Sequence, residues 1–123
     1  MRILGFSKKW DKLQQGEFTT FRYPRKDRDW QVGEVVKVVY KPRSKEREVL
    51  GTAEITAKNH LQFGLFNIYD SRYITTAEAQ MDGFTCYKEM KDWFYKQYGG
   101  RIFGEPINKL TLKWEAVDEP HKN

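Results

Sequence analysis

Apolar and polar positions change their spacing several times along the chain, and each change marks an element. Arg2 to Phe6 is a short, mostly apolar run that reads as a strand. Ser7 then stands where a helix cap would, Trp10 and Leu13 lie three apart on one face, and Gly16 follows the last polar residue, so a helix is predicted over 7–15. Phe18 to Tyr23, rich in aromatic and β-branched residues, predicts a strand closed by Pro24, with a charged loop over 25–29. Val32 and Gly33 turn the chain into Glu34 to Tyr40, the strongest strand signal. Arg47 to Thr56 is expected to pair back on it across a polar, basic hairpin loop, Lys41 to Glu46. This ribbon should form the centre of the fold.

From Asn59 to Arg72 aromatics occur without a clean period, and the segment reads as irregular. Thr75 with Glu78 three residues on forms a capping box, and Gly83 supplies a left-handed stop, so a short helix is predicted over 75–80. Thr85 caps the next predicted helix, Cys86 to Tyr98, whose Met90, Trp93, Phe94 and Gln97 fall at helical spacing before Gly99 and Gly100. Ile107 to Glu115 alternates its side chains and predicts a last strand. Strands dominate and three short helices flank them, which argues for an α+β fold, a small mixed β-barrel, over a doubly wound sheet.

The length of 123 residues fits one domain, expected over 1–117 with a polar tail at 118–123. No apolar run approaches the roughly 18 residues of a membrane span, and the first residues lack the apolar stretch of a signal peptide. A cytoplasmic protein that does not enter membranes is therefore expected. Cys86 is the single cysteine and His60 and His121 the only histidines, which excludes an internal disulfide and leaves no zinc-ligand set; no metal or cofactor is expected. Cys86 itself reads as a small buried hydrophobe, and His60 as structural.

Charge changes the picture more. The formal net charge of +5 is unevenly distributed: residues 1–60 carry fourteen Lys/Arg against eight Asp/Glu, and residues 61–123 eight against nine. A basic half favours a polyanion, because each cation that neutralises a phosphate releases condensed counterions. The basic residues gather in two loops, Arg25, Lys26 and Arg28 in one, and Lys41, Arg43, Lys45 and Arg47 in the other. Both loops flank strands bearing Tyr23, Trp30 and Tyr40, and cations interleaved with aromatics suit single-stranded or looped RNA.

Five ordered motifs carry a resemblance. They are Gly16-Glu-Phe-Thr-Thr-Phe-Arg22, Trp30-Gln-Val-Gly-Glu34, Gly51-Thr-Ala-Glu-Ile55, Ile74-Thr-Thr-Ala-Glu-Ala with Asp82-Gly-Phe84, and the helix with Met90, Trp93 and Phe94. From about Ile3 to Trp114 the chain resembles the ASCH domain, a branch of the PUA-like superfamily. The resemblance implies a PUA-like β-barrel with short flanking helices and a cleft between the strand ending in Arg22 and the Asp82 turn. It also implies RNA-binding or RNA-processing modules, some small members being amidohydrolases of acetylcytidine.

The family's catalytic pattern runs glycine, lysine, threonine, arginine and a later acid. Thr20, Arg22 and Asp82 match it, but Glu17 or Phe18 stands where the lysine belongs, so amide hydrolysis by the family mechanism is not expected unless Lys12 or Lys37 swings in. The expected function is thus recognition of single-stranded, looped or modified RNA in a cleft lined by Thr20, Arg22, Tyr23 and Asp82. The alternatives are a small hydrolase of a modified nucleoside or an RNA phosphodiester, working through Thr20, Asp82 and Glu17, and a protein-interaction module. The competing structural role for Arg22 is an ion pair with Asp82 or Glu54.

Overall fold

The computed structural model describes residues 1–64 and 72–115. Five strands form one mixed sheet: β1 (Ile3–Phe6), β2 (Glu17–Arg22), β3 (Val35–Tyr40), β4 (Glu48–Leu61) and β5 (Ile107–Trp114). Their order is β1-β3-β4-β5-β2; β1 runs parallel to β3, and the other pairs are antiparallel. The sheet curls into a half-barrel, and the fold is α+β with few helices. As expected, the β3–β4 ribbon is central, with β4 in the middle of the sheet.

Alternation gives the curled sheet two apolar faces. On β2, Phe18 and Thr20 face the inside of the curl while Thr19 and Phe21 face out, and on β5 Leu110 and Leu112 oppose Ile107 in the same way. The inner cluster joins Leu4, Phe6, Phe18, Val36, Val38, Ile55, Leu110 and Leu112 under Trp30. A second cluster, including Phe21, Phe63, Met90, Phe94 and Ile107, packs the outer face beneath two helices, α1 (Thr76–Met81) and α2 (Tyr87–Tyr98). Bulges in the β3–β4 pairing at Val38/Val39 and the β4–β5 pairing at Ile55/Ala57 bend the sheet.

Several expectations need correction. Between Ser7 and Gln15 the only helical turn is a 3-10 turn, Asp11–Gln14, entered from an extended Trp10. An α-helix would put Trp10 and Lys12 on opposite sides, whereas both turn inward here, Lys12 and Leu13 being buried. Residues 59–61, read as irregular, extend β4 because pairing with β5 continues to Leu61 opposite Ile107. Residues 65–71 of that segment and the tail at 118–123 lie outside the described residues. Thr75 forms both bonds of its capping box with Glu78. The second helix is capped one residue later than expected: Cys86 occupies the cap position and is exposed, not buried, while Thr85 donates its amide and its hydroxyl to Glu89, each at 2.6 Å. Gly99 ends α2, but a 3-10 turn, Gly99–Phe103, follows at once.

Among the described residues no helix is long and apolar enough to cross a membrane, and no group of three His, Cys, Asp or Glu could hold a metal ion.

Candidate functional site

β1 and β2 are the two edges of the half-barrel, and the seam between them is bridged by a side chain. The Arg22 guanidinium donates to the Gly5 carbonyl at 2.7 Å and, through Nε, to the Thr20 hydroxyl at 3.2 Å. Thr20 and Arg22 reach the seam together because they are two apart on β2. Beside them a cleft of about 200 Å³ opens, with Phe6, Trp10, Phe84, Trp93 and Tyr98 as its apolar walls.

Its polar side is closed by two residues far apart in sequence. Lys12, on the 3-10 turn, donates to Asp82 Oδ1 at 2.5 Å, and both side chains are only 6% exposed. Asp82 ends α1 in a right-handed helical conformation, and Gly83 follows at φ +111. That glycine is required twice over: a Cβ there would be strained by the positive φ and would stand 2.7 Å from the Trp10 ring. Trp10 therefore packs against the Asp82 turn, its ring centre 5.1 Å from that of Phe84, and carries Lys12 to its partner.

Burial dominates the electrostatics here. It pushes the Lys12 ammonium down and the Asp82 carboxyl up, each opposed by the partner's charge, so both are drawn toward their neutral forms. Burial also brings Arg22 down to about 10, against the charges of Tyr98 and Asp82. Arg22 lies 4.7 Å and Lys12 Nζ 5.5 Å from the centre of the Phe6 ring. A buried amine hydrogen-bonded to a buried carboxyl, in the same cleft as a hydroxyl that accepts from a guanidinium, is an arrangement suited to acid-base or nucleophilic chemistry.

Thr20, Arg22 and Asp82 are thus brought together as expected, but Arg22 forms no ion pair with Asp82 or Glu54 among the described residues. Tyr23 is not in the cleft: one residue past Arg22 it faces the other way, against Tyr98 and under Arg101 in the outer cluster. Glu17 is exposed at the start of β2 and lines not the cleft but a neighbouring, larger groove. The basic loops are partly neutralised from within, Arg25 meeting Asp27 at 3.5 Å, Arg28 meeting Glu34 at 3.7 Å and Lys41 meeting Glu46 at 2.7 Å, while Arg47 donates to the Pro42 carbonyl. Lys26, Arg43 and Lys45 stay exposed. The aromatics expected beside these loops offer little: Trp30 is buried beneath Arg2, and Tyr40 is half-buried with Lys9 4.9 Å from its ring. His60 is exposed on β4, opposite Asn108.

Lys37, on β3, lines neither cavity, whereas Lys12 lines both. Of the cleft's aromatics, Trp10 and Trp93 read from sequence as core because of their helical spacing, and Phe84 and Tyr98 carry no separate site signal. No protein-family model, curated protein or solved structure matches the chain.

Proposed function

We propose that the cleft is a hydrolytic site for an acylated amine on a nucleoside, with Lys12 supplying the amine for which residues 17 and 18 offer no substitute. The observation that carries this reading is the buried Lys12–Asp82 pair opening onto the same cleft as Thr20. Aromatic walls and a volume of about 200 Å³ suit one planar base. Asp82 accepts the amine's proton across their short hydrogen bond, which leaves Lys12 able to take the Thr20 proton. Thr20 Oγ adds to the acyl carbon, and the Arg22 guanidinium, already donating to that oxygen, favours its anionic form. Collapse breaks the C–N bond, the leaving amine takes the proton from Lys12, and water then cleaves the acyl-threonine with Lys12 again as base. Purified protein should release acetate from acetylcytidine, and Lys12→Met should abolish release; an inactive wild type refutes the reading.

A second reading, an ASCH-type PUA-like module that binds a splayed base of RNA without chemistry, is favoured by the basic first half of the chain, including the exposed Lys26, Arg43 and Lys45. On this reading affinity for single-stranded RNA falls steeply with salt. Affinity unchanged between low and moderate salt would sink it.

A further inference from the structure

Lys12 does not close a blind cleft. It also lines the larger groove, of about 770 Å³, and Trp10 and Phe84 are likewise shared by the two cavities. With the nitrogen side of an amide in the cleft, the groove that shares this wall is the space left for its acyl group. Volumes of roughly 300–1,000 Å³ hold drug-sized ligands, so an acetyl group would leave this one almost empty.

The polar lining points to the missing part. Thr19, facing out from β2, is 5% exposed and its hydroxyl has no hydrogen-bond partner among the described residues, a donor and acceptor ready for an amide or carbonyl. The groove's lysines are mostly engaged, Lys9 with Glu48 at 2.6 Å, Lys109 with Glu78 at 3.0 Å and Lys12 with Asp82. Lys8 stands 4.3 Å from the centre of the Trp10 ring. Asp11 and Glu17, both exposed, form no ion pair among the described residues. A third carboxylate of the groove, Glu89, is held by the amide and hydroxyl of Thr85, each at 2.6 Å, which leaves Asp11 and Glu17 against the Lys8 ammonium; this balance disfavours a phosphate and favours a cation.

We infer that the groove receives an acyl group bearing a free α-ammonium, so that the substrate class is an aminoacyl amide of a nucleobase amine. This rests on the hydrolytic reading of the cleft. Water supplies the atoms: the C–N bond breaks, the acyl carbon gains the hydroxyl and leaves as an amino acid, the base amine gains the hydrogen, and nothing is oxidised or reduced.

The test uses N4-leucylcytidine and N4-(4-methylpentanoyl)cytidine, which share a carbon skeleton and differ in the α-ammonium, with N4-acetylcytidine for size. Binding is measured by calorimetry on Thr20→Ala, which lacks the attacking hydroxyl. The leucyl compound should bind at least tenfold more tightly than its uncharged counterpart, and both more tightly than the acetyl compound. Adding Asp11→Asn and Glu17→Gln should erase the first difference and leave the second. Equal affinity for the charged and uncharged compounds overturns the inference, as does no binding of any. Turnover by the wild type is scored separately: a leucyl preference in binding with no turnover of any amide refutes the hydrolytic reading while the groove assignment stands.

Discussion

Lys12 and Asp82, 70 residues apart, meet at 2.5 Å in a setting where each is almost fully covered. The contact ties the entry turn before β2 to the end of α1 across the seam of the half-barrel. Breaking such a pair from one side leaves the other group buried without its partner, at a cost of about 3–5 kcal/mol. Lys12→Ala should therefore lower stability by that amount in chemical denaturation, whereas Lys12→Met combined with Asp82→Leu should cost much less. A negligible loss for Lys12→Ala would mean that the pair is hydrated in solution.

Arg22 is both architectural and part of the site. Removing it leaves the Gly5 carbonyl without its charged donor and opens the seam, so Arg22→Ala should cost about 1.5–3 kcal/mol. Nucleoside affinity should fall as well. Thermal melting beside a binding titration checks both, and unchanged melting would remove the seam role.

Gly83 should tolerate no side chain. Alanine there must adopt φ near +111 and displace the Trp10 ring, so Gly83→Ala should cost about 1–3 kcal/mol and shift tryptophan fluorescence. Gly16, with open space around the position of a Cβ, is the control: Gly16→Ala should be close to neutral.

Acid sensitivity is expected at a different place. Arg2 donates to both oxygens of Glu34 at 2.6 Å, and this hydrogen bond, with the neighbouring Arg28, holds the Glu34 carboxyl below its ordinary value of 4.5. A depressed folded-state pKa contributes stability that is complete above pH 4.5 and is lost as pH falls through the lower folded value. Glu34→Gln should flatten that acid limb in pH-dependent denaturation; an unchanged limb would assign it elsewhere.

Period-2 and capping signals in the sequence carried most of the fold. The five strands, the Thr75 capping box and the Gly83 stop are local patterns, readable because neighbours in sequence decide them. What the sequence could not show is set by distant partners. The segment over 7–15 looks helical by spacing, yet Trp10 is drawn onto Gly83 and Lys12 onto Asp82, and these contacts override the local preference. The resemblance places Thr20, Arg22 and Asp82 together, and the fold brings them to one cleft, whereas Tyr23, one residue further along an alternating strand, turns to the other face. Lys12 could be named as an outside possibility, and only the fold shows it at the cleft.

The most direct measurement is the pH profile of kcat/KM for amide hydrolysis by the wild type. The reactive form is the Lys12–Asp82 pair holding a single proton, so activity should fall in acid as Asp82 gains a second and in alkali as the pair loses its last. Because burial raises Asp82 and lowers Lys12, both limbs of the bell should lie inside the ordinary values of 3.8 and 10.5. Limbs at or outside those values, or a bell that survives in Lys12→Met, would contradict the assignment of Lys12 and Asp82 as the working pair.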